Sequence, residues 1–261
     1  MAGGCPRTIC SSRAAGYAQL IVGSRSQGHE TPDHGEGPGT QWVGGFMTRG
    51  IDDPRHHYYR RLITDCVRAV DCARALPHVD AERIVVQGGC QGGGLALAVG
   101  GLAGDQVAGV LSDVPFLCDF RHAVDAASEG PYDELTKYLR WHTREHPERV
   151  FATLDYFDGA HFAARATAPA LFSVALMDPI CPPSTVYAAY NRYAGAKDIR
   201  VRRYADHGGG YGSTPREHLR WLHRTGLAPQ PALTDETKEP SSDGPDAGLC
   251  ELPCRREHWP C

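Results

Sequence analysis

No run of about 18 consecutive apolar residues occurs in the chain, which excludes a helical membrane span. The N-terminal stretch "MAGGCPRTICSSRAAG" lacks the continuous apolar core of a secretory leader. Charge of neither sign dominates: 27 Lys and Arg stand against 31 Asp and Glu, for a net −4. No basic cluster is present that would track a phosphate backbone, which argues against nucleic acid as a partner. An internal repeat is also missing. A soluble, cytoplasmic protein with no membrane contact is therefore expected. With 261 residues and 41% hydrophobic content, the chain can bury one sizeable core. A single domain over residues 1–228 is expected.

Cysteine is not scarce, and the ten present raise the question of disulfides. Cys66, Cys72, Cys90, Cys118 and Cys181 are scattered through a chain too large to need stapling, so most are expected to be buried, reduced thiols. The tail "LCELPCRREHWPC" differs, because Cys250, Cys254, His258 and Cys261 are soft-metal ligand types in a short span. Their spacing fits no zinc pattern, and they follow the polar linker "PQPALTDETKEPSSDGPDAG" rather than sitting on rigid elements. Residues 229–261 are read as a disordered tail, with no metal and no cofactor.

Along the chain, "GYAQLIV" from Gly16 reads as a buried strand, and residues 23–50 as a long loop rich in Gly, His and Pro. Leu62, Ile63, Cys66, Val67, Val70, Ala73 and Leu76 recur at helical spacing, so 59–76 is an amphipathic helix that Pro77 ends. A strand at 83–87, a helix from about Gln91 and the strand "VAGVLSDV" follow. Helical segments over 119–155 interrupt the alternation. The strand "APALFSVAL", the helix "PSTVYAAYNRYA", the strand "IRVRRYA" and the helix "TPREHLRWLHRTG" complete it. Such alternation predicts an α/β fold, a mainly parallel sheet with helices on both faces.

In open α/β sheets, reactive groups gather beyond the carboxyl ends of strands. Three candidates stand there: Cys90 after "RIVVQGG", Asp178 after "ALFSVALM" and His207 after "IRVRRYAD". Gly88-Gly89-Cys90-Gln91-Gly92 fits G-x-nucleophile-x-G, a strand-to-helix turn whose glycines lift one side chain clear of the backbone. Nucleophile, acid, histidine is the order of an α/β-hydrolase triad. Each residue also has a plainer reading. Cys90 is a small hydrophobe that can simply pack, Asp178 can cap a helix beginning near Pro182, and His207 is one of 13 histidines. For acyl transfer, His207 would move the proton, Asp178 would hold the imidazole, and the Gln91 N–H would face the oxyanion. Phe116, Pro182 and Tyr211 are the candidate substrate-lining residues by position.

The segments "GGCQGGGLALA", "DVPFLCDFRHAVD", "GPYDEL", "LDYFDGAHFA", "SVALMDPICPPSTVYAAYNRYAGAKDIRV" and "GFMTRGIDDPRHHYYRRLITDCVRAVD" closely resemble the acetyl xylan esterase / cephalosporin C deacetylase family, carbohydrate esterase family 7. The resemblance runs from about Gly16 to about Leu227. It implies an α/β-hydrolase fold, a Ser-His-Asp triad without cofactor, deacetylation of short acylated sugars and of an antibiotic side ester, and a ring-like hexamer. The family serine falls on Cys90, the acid on Asp178 and the histidine on His207.

Two departures stand out. The resemblance leads us to expect that the family's N-terminal strands and its "HGYGG"-like loop, which supplies the second oxyanion donor, lack a counterpart here, since "MAGGCPRTIC" stands about where that loop ends and no tyrosine precedes Tyr17, and Gly23 and Ser24 stand near the usual Asp-Thr. A missing donor costs about 3 to 4 kcal/mol of transition-state stabilisation, and missing strands leave a sheet edge open. The other departure is Cys90 itself. A thiol ionises readily, but a thiolate also leaves a tetrahedral intermediate more easily than an alkoxide does. The resemblance implies an ester hydrolase of acylated sugars or cephalosporin C-like esters. The alternatives are a silent homologue that keeps the fold, or a cysteine hydrolase of activated esters with chemistry similar to dienelactone hydrolases.

Overall fold

The computed structural model describes residues 15–28, 31–33 and 45–228. These lie in the compact unit Met1–Pro229; the second unit, Gln230–Cys261, is outside the described residues, and so are the candidate ligands Cys250, Cys254, His258 and Cys261.

Among the described residues, four strands form one sheet in sequential order: β1 (Val85–Gly89), β2 (Gly109–Asp113), β3 (Ala170–Ala175) and β4 (Lys197–Arg202). Every pairing is parallel. Apolar residues run through β2 and β3 without alternation because both faces are covered, as the burial of all six β3 residues shows. Val110, Ala170 and Phe172 face one core, packed with residues of α1 (Tyr58–Arg74), α2 (Gln91–Ala103), α6 (Gly159–Ala163) and α7 (Pro183–Arg192). Leu111 and Leu171 face the opposite core, under Trp221 and Leu222 of α8 (Thr214–Arg224). Between β2 and β3 the chain makes α3 (Phe120–Ala126), α4 (Tyr132–Trp141) and α5 (Pro147–Leu154), which enclose a third core with Met47, Ile51 and Tyr58. No helix of the described residues is long and apolar enough to cross a membrane.

Helix α1 begins at His57, whose extended backbone and side chain form its N-cap. The ring's Nδ1 accepts from the Tyr59 N–H at 3.3 Å, so Nε2 carries the proton and donates to the Met47 carbonyl at 3.0 Å. The helix ends at Arg74, three residues before Pro77. Burial depresses the His57 pKa to about 4, with the Met47 hydrogen bond opposing the shift. An unfolded chain protonates this ring near 6.5, so between the two values the unfolded state binds more protons and stability rises with pH. Urea unfolding followed from pH 6.5 down to pH 4 is expected to lose about 3 kcal/mol to this residue. His57→Asn, which keeps a cap acceptor but does not titrate, flattens that slope.

The buried strand expected at Gly16 is not there. Residues 16–22 are neither helix nor strand, and Leu20 and Ile21 are 55% and 56% exposed. Apolar composition makes a strand only where a ladder partner lies alongside, and none of the described strands pairs with this segment. Tyr17 is half-buried against the Leu111, Leu171, Trp221 and Leu222 cluster and donates its hydroxyl to the Leu227 carbonyl at 3.4 Å. The described part of the loop over 23–50 is pinned by charge. Arg25 forks onto Asp65 of α1 with two contacts of 2.6 Å, and the fully buried Asp33 carboxylate takes Arg25 at 3.0 Å, Arg49 at 3.3 Å and Arg61 at 2.7 Å. Three guanidinium groups converging on one carboxylate meet the requirement that a buried charge be paired.

The five described cysteines are all free thiols. Cys118 and Cys181 are buried and Cys66 and Cys90 half-buried, while Cys72 is exposed on α1 because its position falls outside that helix's apolar stripe.

Candidate active site

Cys90 sits between β1 and α2 with φ 54° and ψ −120°, a conformation that costs a non-glycine residue about 1 to 3 kcal/mol. The turn is held against the neighbouring strand. The Cys90 N–H donates to the Asp113 carbonyl at 3.0 Å, while its own carbonyl accepts from Gly93 at 2.9 Å, Gly94 at 3.2 Å and Phe116 at 2.9 Å. Gly88 is where the turn closes most tightly: a Cβ there would stand 2.2 Å from the backbone of Gly92. Gly88→Ala is therefore expected to destabilise by about 3 kcal/mol, from backbone overpacking, and to displace the thiol. Urea unfolding and the rate of Cys90 alkylation check it.

Asp178 follows β3 and His207 follows β4. His207 Nδ1 lies 2.9 Å from Asp178 Oδ2 and 3.1 Å from Oδ1, which commits Nδ1–H to the carboxylate. Asp178 Oδ1 also accepts from the Ile180 and Cys181 N–H groups, each at 2.9 Å. Helix α7 begins later, at Pro183, and has no side-chain cap, so the cap reading of Asp178 gives way to a tight turn that orients the carboxylate. With its Nδ1 occupied, the imidazole turns its other nitrogen to Cys90. Ligating atoms of Cys90, Cys181 and His207 all lie within 4.8 Å of one another.

The electrostatics follow from that cluster. The Cys90 pKa is pulled well below the ordinary thiol value, first by the Cys181 thiol hydrogen-bonded to it, then by His207 and the Gln91 N–H, with burial opposing. His207 is held as imidazolium well above the ordinary histidine range, first by Asp178 and then by Cys90. Burial drives Cys181 up, and the neighbouring Cys90 drives it further. Both shifts run in the direction that favours a Cys90 thiolate beside a His207 imidazolium.

The Gln91 backbone N–H bonds to Cys90 at the head of α2. Its side chain pairs reciprocally with Gln27: Gln27 Nε2 donates to Gln91 Oε1 at 2.7 Å, and Gln91 Nε2 donates to Gln27 Oε1 at 2.8 Å. Tyr59 donates to the same Oε1 at 3.1 Å. The loop and α1 thereby fix the start of α2.

The sequence model of the family described as Acetyl xylan esterase (AXE1) matches residues 3–225. The chain belongs to the acetyl xylan esterase family. It is 40% identical to an acetyl xylan esterase from Paenibacillus sp. R4, with a TM-score of 0.81 over 86% of this chain and 71% of that one. It is 33% identical to acetyl xylan esterase 1 from Thermoanaerobacterium sp. JW/SL YS485, with a TM-score of 0.78 over 87% and 71%. An acetyl esterase of Xylanibacter ruminicola is 32% identical over 163 residues, which are 62% of this chain and 36% of that protein, so the chain spans well under half of that curated relative. The fold is accordingly the α/β-hydrolase fold of acetyl xylan esterases.

Within this acetyl xylan esterase fold, the three residues expected to line a substrate stand in different surroundings. Phe116 is 1% exposed, its ring 4.4 Å from that of Tyr132, so it serves the core, and its backbone N–H donates to the Cys90 carbonyl. Pro182 is buried at the head of α7. Tyr211 is 65% exposed, with positive φ, and its hydroxyl donates to Asp206. A surface hollow lined by Asp53, Pro54, Arg55, Arg60, Tyr156 and Phe157 shares no residue with the Cys90 cluster.

Sequence reasoning missed two groups. Cys181 is three residues beyond Asp178, and only the tight turn brings its sulfur back to Cys90. Asp113, whose carbonyl accepts from Cys90, is held from below by Ser173, which donates at 2.8 Å, and by His218 at 3.0 Å. The strand-end register Gly89, Asp113, Ser173 gives that network its place, and the terminal Asp of "VLSD" was its one visible signal.

Proposed function

We propose that the protein is a carboxylic ester hydrolase that removes acetyl groups from acylated sugars or cephalosporin C-like esters through Cys90, His207 and Asp178. The observation that carries this reading is the chain of contacts from the Asp178 carboxylate through His207 to a thiol raised on a strained turn. The Cys90 thiolate attacks the acetyl carbonyl, and the Gln91 N–H stabilises the developing oxyanion. The His207 imidazolium gives its proton to the departing alkoxide, leaving an acetyl thioester on Cys90 and a neutral imidazole. Neutral His207 then takes a proton from water, the hydroxide attacks the thioester, and the Cys90 thiolate departs, which restores the thiolate–imidazolium pair and releases acetic acid that gives its proton to solvent. Asp178 keeps the Nδ1–H tautomer throughout, so the proton moves only at the other ring nitrogen.

The same nucleophile favours activated esters. In the first tetrahedral intermediate the thiolate competes with the alcohol as leaving group, and a phenolate wins that competition more often than a sugar alkoxide. Hydrolysis of p-nitrophenyl acetate and of an acetylated xylo-oligosaccharide by the full chain tests the reading. Turnover of the activated ester above that of the sugar acetate is expected. No turnover of either ester overturns it.

A further inference from the structure

We propose that Cys90, Cys181 and His207 form a binding site for a borderline-soft divalent cation of the zinc type, one that captures the nucleophile. Two thiols and an imidazole are a Cys2His donor set, and three protein ligands leave a fourth tetrahedral position open. Zinc–sulfur bonds of about 2.3 Å and zinc–nitrogen bonds of about 2.0 to 2.1 Å place tetrahedral donors roughly 3.5 to 3.8 Å apart. The three ligating atoms already lie within 4.8 Å of one another, so closure on a cation needs shifts of about an ångström or less.

The surroundings suit the cation in three further respects. His207 presents Nδ1–H to Asp178, the carboxylate–histidine arrangement that orients metal-bound imidazoles. The same carboxylate accepts the Cys181 N–H, so one anchoring group positions two of the three ligands. Cys90 and His207 are partly exposed, the imidazole side chain by 21%, while Cys181 is buried. Two thiolates also neutralise a divalent cation, which removes the cost of burying net charge. On binding, Zn–S bonds form to Cys90 and Cys181 and a Zn–N bond to His207; the protons displaced from the Cys181 thiol and the His207 ring pass to water. Metal binding and acyl transfer then exclude each other, since both need the Cys90 lone pair.

Binding does not depend on ester turnover, so its readout is separate from that of the proposed reaction. The reduced, metal-stripped full chain is titrated with Co2+ and followed by thiolate-to-cobalt charge-transfer absorption and tetrahedral ligand-field bands. One equivalent bound, displaced by Zn2+, is expected, and Cys181→Ala is expected to weaken it by about 100-fold or more with an unchanged far-ultraviolet spectrum. A missing band overturns the proposal. So does an unchanged affinity in Cys181→Ala, which would place the metal on other cysteines such as those of the tail. Should that variant fail to fold, peptide mapping of the unaltered chain decides. One equivalent of Zn2+ is expected to slow iodoacetamide alkylation of Cys90 by at least about tenfold; an unchanged rate contradicts the site.

Discussion

Replacing Cys90 by alanine is expected to lower p-nitrophenyl acetate hydrolysis by about 10,000-fold, because a triad that acts as a unit fails when its nucleophile is removed. The substitution removes the sulfur but no part of the scaffold. The turn is held by backbone bonds from Cys90 to Asp113, Gly93, Gly94 and Phe116, and these survive alanine. Circular dichroism and urea unfolding should therefore stay close to those of the parent while the rate collapses. Cys90→Ser separates the chemistry of the atom from the geometry of its site. A hydroxyl does not depart from the tetrahedral intermediate as a thiolate does, so the ratio of sugar-acetate to activated-ester turnover should rise by about tenfold or more. Steady-state rates on the two substrates measure that ratio.

Asp178→Asn is expected to cost about 1,000 to 10,000-fold in turnover with little loss of stability. An asparagine carbonyl still accepts the Ile180 and Cys181 N–H groups that Asp178 Oδ1 now takes at 2.9 Å, so the turn persists. The other side-chain atom becomes an NH2 donor, which faces Nδ1 and forces the imidazole into the wrong tautomer. With the carboxylate gone, the largest influence that raises the His207 pKa is also lost. The imidazolium then deprotonates at lower pH, and the acid that protonates the leaving alcohol is depleted from the alkaline side inward. The pH–rate profile should accordingly lose activity on its alkaline limb first, and a variant that keeps parental turnover across that limb contradicts the role given to Asp178.

What the sequence made legible was set by local spacing. The apolar repeat from Leu62 to Val70 fixes one helix face, and Tyr58–Arg74 is that helix. Gly88 and the glycines after Cys90 mark a turn that needs close backbone approach, and a Cβ at Gly88 would strike Gly92. Asp178 and His207 could be placed at strand ends because β3 and β4 are short, bounded segments. What stayed hidden depends on partners distant in sequence. The segment 16–22 carries strand-like residues, but strand formation is decided by a neighbour, and Leu20 and Ile21 face solvent. Phe116 follows a strand end, as a substrate-lining residue would, yet the Tyr132 ring from α4 draws it into the core. Cys181 was visible in the motif but unassigned, since its approach to Cys90 arises from the turn that Asp178 closes.

The central claim is that Cys90 carries the acyl group. Rapid acid quench of the full chain during p-nitrophenyl acetate turnover, followed by peptide mass mapping, tests it most directly. An acetyl group on the peptide containing Cys90, lost in Cys90→Ala together with turnover, is the predicted result. Turnover that persists in Cys90→Ala, with no acetyl group trapped on Cys90 in the parent, would contradict the account.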